Sequence, residues 1–215
     1  MKTYLKTSSI CLLGIALITS AHTSHLHSEN SGADDRVVLN RIPRDRSHFR
    51  DDVAPLINQI IARHGEQEWE IVVLTNEFHR HLGIYSILGA KMGLAARDHF
   101  HVGLDAMTIL SHAGQRPPIS CLNDGLQVST GATLGHGTIR IADSNAPTPS
   151  AQFTHDEKTV TLTLKSVYWN QIKADIQQTI KTHGRNTPAY WDAVRQLGLK
   201  YWLQWSRHEL FDIAE

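Results

Sequence analysis

Two short stretches of this chain concentrate side chains able to hold a metal ion or move a proton. One is His79-Arg80-His81, and the other is Cys121 followed closely by Asp124. In an extended segment alternate side chains share a face, so both imidazoles can reach one ion. In a helix the same two residues would stand about 200° apart around the axis, which spoils the pair. Cys121 falls where a helix is expected to begin, and the positive end of a helix favours a thiolate. Two imidazoles and a thiolate, with Asp124 as fourth ligand or orienting partner, suit a tetrahedral zinc-like divalent ion. The same residues admit a second chemistry, with Cys121 as the nucleophile of a hydrolase or transferase and His79, His81 or His136 as its base. Spacing alone leaves both open, because a His-x-His pair is common by chance in a chain with 14 histidines.

The composition narrows the classes around that site. The 215 residues balance 21 basic against 21 acidic side chains, so no overall field draws the chain to nucleic acid or an anionic membrane. An apolar fraction of 41% excludes a disordered chain, and two cysteines are too few for a disulfide scaffold. Residues 1–24 read as an export signal: Lys2 and Lys6 precede the apolar run from Ile10 to Ile18, and small residues follow at Ser20 and Ala21. That run is too short for a permanent membrane span. The expected location is therefore periplasmic or secreted, with no membrane attachment after cleavage. Processing removes Lys2, Lys6 and Cys11, leaving 19 basic against 21 acidic residues and Cys121 as the one thiol. A dithiol redox mechanism then has no second sulfur. Residues 25–46 form a polar leader without apolar periodicity. With His22 just before it, the leader's His25 and His27 favour a metal carrier, although no apolar shell would fix them.

The elements that must position the two stretches are expected from residue 47 onward. Phe49, Val53, Leu56, Ile57, Ile60 and Ile61 make one helical stripe ended by Gly65, with Pro55 marking where the ordered helix starts. Residues 70–75 read as a buried strand leading into the His-x-His stretch. A helix with small residues at Gly89 and Gly93 follows over 84–97, close enough in character to admit another element or a second copy of the chain. Strands are expected over 106–111, 137–142 and 159–164, with an exposed connection over 143–150. A short helix over 125–130 ends at Gly131, and helices over 167–183 and 188–204 close the chain. His99 and His101 take capping or surface roles, and the aromatic residues of the last helices pack the core.

A longer stretch resembles a known family. Cys121-Leu122-Asn123-Asp124-Gly125-Leu126-Gln127-Val128-Ser129-Thr130-Gly131-Ala132-Thr133-Leu134-Gly135-His136-Gly137 is similar to the signature of the FmdE family, which takes its name from formylmethanofuran dehydrogenase. Upstream, Phe78-His79-Arg80-His81 with Gly89 and Met92-Gly93 resembles that family's His-Gly-His segment and its glycine-bearing helix. The resemblance implies a single α+β domain over 47–215, a mixed sheet packed by helices. It places His79, His81, Cys121 and Asp124 on a cleft that can bind metal. It also implies an accessory role in C1 or redox metabolism, as a partner subunit, while the small-residue helix over 84–97 is compatible with a homodimer. Three departures thin the thiols. Gly83 and Ile84 stand at the family's Cys-Pro pair, Ala132 at its second cysteine, and no Cys-x-x-Cys finger follows. His136, where the family often has Lys, is the nearest imidazole to take over.

Overall fold

The computed structural model describes residues 37–215. Both the export signal and the histidines at 22, 25 and 27 lie outside the described residues. Two single 3-10 turns, at Arg46–His48 and Ala54–Leu56, lead into α1 (Ile57–His64), which begins just after Pro55. Gly65 ends α1 with a positive φ of 85°, a conformation only glycine adopts without cost.

From there the chain departs from the strand expected over 70–75. Those residues lie inside α2 (Glu66–His79). The β-branched run Ile71-Val72-Val73 carries strand propensity, but Glu66 and Glu68 complement the helix N-terminus. Trp69 and Val72 then seat one face of the helix fully in the core. Tertiary burial outweighs the local preference.

α3 (Ile84–Phe100) is the central element and is buried nearly all round. On one side, Leu88 and Met92 meet a core cluster containing Leu122, Leu126, Phe153 and Leu162. On the other, Ile87 and Leu94 meet Ile57, Ile60, Trp69 and Trp202. α4 (Leu122–Thr130) crosses α3 at very short range. A Cβ on Gly89 would overlap the Leu122 carbonyl, and one on Gly125 would overlap the Ser86 carbonyl and the Ala90 amide. The stripe of small residues is thus used inside the domain.

The sheet is five-stranded and mixed, in the order β2-β1-β3-β4-β5. β1 (Thr108–Ser111) pairs parallel with β2 (Ile139–Ile141) and antiparallel with β3 (Ser150–His155). β4 (Lys158–Leu164) pairs antiparallel with β3 and with β5 (Phe211–Ala214). β3 begins where the expected connection ends and takes a central place, its Ala151 and Phe153 wholly buried. β5 also went unpredicted, being short and largely exposed on the sheet edge. α5 (Ser166–His183) and α6 (Pro188–Gln204) match the expected closing helices, followed by the short α7 (Arg207–Leu210). The domain is α+β, as anticipated. Most of the late aromatics pack inside, but Trp191 stays half exposed.

One charged network ties the last segment to the first helices. Lys91, fully buried on α3, donates to Glu68 Oε1 on α2 and to the Trp205 carbonyl at 2.8 Å. Arg207 reaches Glu68 Oε2 at 3.1 Å and Asp98 Oδ2 at 2.8 Å. His64 Nδ1 stands 3.6 Å from Glu68 Oε1, while its Nε2 meets the Leu203 carbonyl at 3.0 Å. Among the described residues no helix is long and apolar enough to cross a membrane.

Candidate metal centre

His79 is the last residue of α2, and Arg80 then takes the left-handed conformation with φ 67°. The expected extended geometry is therefore not what pairs the imidazoles. A helix end does it: the left-handed turn at Arg80 swings His81 back over His79. The two rings come to 4.1 Å between centroids with a 43° tilt. Had α2 continued, the residues would point to different sides.

Three anchors hold this turn. Leu82 is buried and seats against α6, where a Cβ on Gly198 would stand 2.7 Å from its Cδ2. Asn76 on α2 donates to the Val72 carbonyl at 2.8 Å, and its Oδ1 accepts from the Gly83 amide and the Ser86 hydroxyl, each at 3.0 Å. Ser86 Oγ lies equally close to the Gly83 carbonyl, at 3.0 Å. Asn76 thus clasps the end of α2 to the start of α3. No spacing rule singles it out, because asparagine inside a helix carries no ligand signature.

Asp124 arrives from the first turn of α4, across the tight α3–α4 contact that Gly89 and Gly125 permit. Its Oδ2 lies 2.6 Å from His79 Nδ1, linking residues 45 apart in the sequence. The neighbouring Asn123 anchors the same turn, donating to the Gly114 carbonyl at 2.9 Å and accepting from Ser111 Oγ at 2.5 Å. The His79 side chain is only 8% exposed, and its Nε2 is buried with no hydrogen-bond partner. A carboxylate on Nδ1 and a free Nε2 is the arrangement that orients a histidine for a metal ion.

His81 is more open. Partial burial first, and then the neighbouring His79, hold its imidazole below the ordinary histidine range, which favours the neutral, ligating form. Cys121, half-buried just before α4, goes the other way. Burial first, and then the Asp124 carboxylate, push its thiol up. This corrects the expectation that the helix N-terminus would favour a thiolate: desolvation and a nearby negative charge outweigh the dipole. Tyr85, one turn along α3 from the histidine turn, is likewise pushed up by burial, with a smaller contribution from Cys121.

His136 is placed elsewhere. It is largely exposed beyond the C-terminal end of α4, with Nδ1 3.3 Å from the Gly131 carbonyl and 3.8 Å from Asp105 Oδ1. His101 caps α3 in the left-handed conformation, as expected. The structure therefore sets His79 against His81 and Asp124, leaves Cys121 within electrostatic reach of Asp124, and places His136 elsewhere. Among the described residues no group of three or more His, Cys, Asp or Glu side chains is set around a common point for a metal. The residues still fit an ion in one respect, since the buried Nε2 of His79 has no partner within the protein. Gly83 lets the chain pack closely on that ring, because a Cβ there would lie 3.2 Å from the same nitrogen.

The family model described as FmdE, molybdenum formylmethanofuran dehydrogenase operon, matches residues 78–212. The chain belongs to the FmdE family. The match opens one residue before His79 and spans Cys121, Asp124 and His136, covering all of α3, α4 and the sheet up to β5. Among the curated proteins, none matches the chain. The FmdE match covers the core domain.

Proposed function

We propose that this FmdE-family chain is an exported metal-binding protein that holds one zinc-like divalent ion at His79 and His81, with Cys121 beside them and Asp124 orienting His79. The observation that carries this reading is the buried His79 ring, fixed through Nδ1 by Asp124 at 2.6 Å and left with an unpartnered Nε2. A buried polar atom without a partner costs about 1–3 kcal/mol, and coordination at Nε2 removes that cost. When bound, such an ion supplies Lewis-acid polarisation of whatever else it ligates. This chain's own groups do the rest. Asp124 fixes the ring orientation, His81 adds a second imidazole, and Leu82 and Asn76 keep the turn from sliding. His136 lies away from the cluster and has no part in the set.

Export rests on the two lysines and the apolar run of the first 24 residues. An accessory role in C1 or redox metabolism, as a subunit bound to a partner, follows from the family rather than from the site, and the histidine-bearing leader supports a carrier. The nucleophile reading is the weaker one, since a half-buried thiol beside a carboxylate is a poor thiolate source at neutral pH.

Elemental analysis of the purified mature chain tests the proposal. Close to one ion per chain is expected, with His79→Ala and His81→Ala losing it and Cys121→Ala weakening it. A correctly folded wild-type chain that carries no metal, and takes none up from excess zinc, would sink the reading. Rapid stoichiometric alkylation of Cys121 at neutral pH, unaffected by added metal, would reinstate the nucleophile.

A further inference from the structure

The carbonyls at the end of α6 are gathered by basic side chains from α1 and α3. His64 Nε2 stands 3.0 Å from the Leu203 carbonyl, Arg63 donates to the Gln204 carbonyl at 2.9 Å, and Lys91 donates to the Trp205 carbonyl at 2.8 Å. Arg207 then donates back to the His64 carbonyl at 3.2 Å. These bonds clasp residues 203–207 to the first helices, and α7 and β5 follow directly. His64 is the member whose charge changes near neutral pH. A carbonyl only accepts, so Nε2 carries the hydrogen of the neutral ring and an added proton must go to Nδ1. Nδ1 faces Glu68 Oε1 from 3.6 Å, outside hydrogen-bond range. Both Glu68 oxygens are already engaged, Oε1 by Lys91 and Oε2 by Arg207.

We propose that protonation of His64 opens this clasp, so that the segment from Leu203 onward loosens from α1 and α3 in mild acid. The inference is independent of the metal reading above. A charged His64 joins Arg63, Lys91 and Arg207 around the one buried carboxylate of Glu68, while Asp98, the other acid of the network, is held by Arg207 at 2.8 Å. The C-terminal end of α6 favours a cation, but Arg63 and Lys91 already supply that charge. Burial first, and then Lys91, hold the His64 imidazole below the ordinary histidine range, with Glu68 and the Leu203 carbonyl opposing them only in part. The sign follows. Below the unfolded value of about 6.5 the opened segment leaves His64 free to bind a proton that the closed clasp resists. The closed form is therefore fully favoured above that pH and loses ground as the pH falls toward the folded value, by up to about tenfold per unit.

The test is native-state hydrogen exchange on the full chain, read by mass spectrometry and divided by the intrinsic chemical rate at each pH. From about pH 7.5 to about pH 5, wild-type peptides covering residues 203–214 are expected to lose at least about threefold of their protection. They should stay less protected than β1 and β3 throughout, because the segment opens without the core. His64→Gln keeps a donor for the Leu203 carbonyl but takes no proton, and is expected to remove the pH response. The proposal is overturned if wild-type protection of 203–214 holds constant over that range, or if His64→Gln shows the same loss. It is equally overturned if 203–214 exchanges only as fast as β1 and β3, since the opening is then global. Should His64→Gln fail to fold, an NMR titration of the wild-type ring decides: a midpoint below about 6.5 is expected, and one at or above it overturns the proposal.

Discussion

Replacing Glu68 by Gln probes the buried charge network with little change of shape. The substitution leaves the Lys91 ammonium, wholly removed from water, with the Trp205 carbonyl and a neutral amide in place of its carboxylate. It also takes from Arg207 one of its two carboxylate partners, the other being Asp98. Breaking a buried pair in this way costs about 3–5 kcal/mol, because one charge stays buried without compensation. At about 2–4 °C per kcal/mol for a domain of this size, the melting temperature should fall by roughly 6–20 °C. Lys91→Met should cost at most about half as much, since it removes the stranded charge while Glu68 keeps Arg207. The sign of the pH dependence sharpens the test. Burial already holds Lys91 below the ordinary ammonium range, and Glu68 is the main influence opposing that. Without Glu68 the value drops further. Between it and the unfolded value of about 10.4 the unfolded chain binds the extra proton, so stability rises with pH by up to about 1.4 kcal/mol per unit. The deficit of Glu68→Gln against wild type, measured by urea unfolding, should therefore narrow as the pH is raised from about 7 to about 10. A loss under about 1 kcal/mol, or a deficit that stays constant across that range, would contradict this account of the network.

Three further outcomes are expected. Asp124→Asn should weaken metal affinity by about 10–100-fold in competition with a chromophoric chelator, while His136→Ala leaves it unchanged. Gly125→Ala forces a Cβ into the backbone of Ser86 and Ala90, which cannot swing away, and should cost about 1–3 kcal/mol in chemical denaturation. Tyr201→Phe removes a hydroxyl that donates to Asp175 Oδ2 at 2.6 Å, and should cost about 1.5–3 kcal/mol by the same assay.

Much of the fold is legible in the sequence wherever one signal dominates. The helical stripe at 57–61, the glycine ends at 65 and 131 and the two closing helices all have local causes, and they stand where those causes put them. The failures share another cause. Residues 70–75 have strand-like composition, and distant packing, such as Trp69 stacked on Trp202 at 5.1 Å, favours the helix. β5 is short and exposed, and it exists as a strand because β4 offers it an edge. At the site, the closeness of His79 to His81 and to Asp124 agrees with the residue types, while His136 stands elsewhere. The means are not legible in them. A left-handed residue at Arg80, the Asn76 clasp and the His79–Asp124 hydrogen bond all depend on where α2 stops and how near α4 comes. The thiol is the clearest case: position at a helix start argues for an easily ionised cysteine, yet burial and Asp124 reverse it.

The left-handed turn at Arg80 carries one more consequence. A residue with a Cβ pays about 1–2 kcal/mol to sit there, so Arg80 draws α2 toward one more helical turn. That longer helix would pull Leu82 out of the core and move His81 away from His79. The pairing of the imidazoles thus depends on α2 stopping at His79. That stop is held by a buried leucine and an asparagine, neither of which is a metal ligand. Substitutions at positions 76, 80 and 82 are consequently expected to disturb the pairing while every donor atom stays the same.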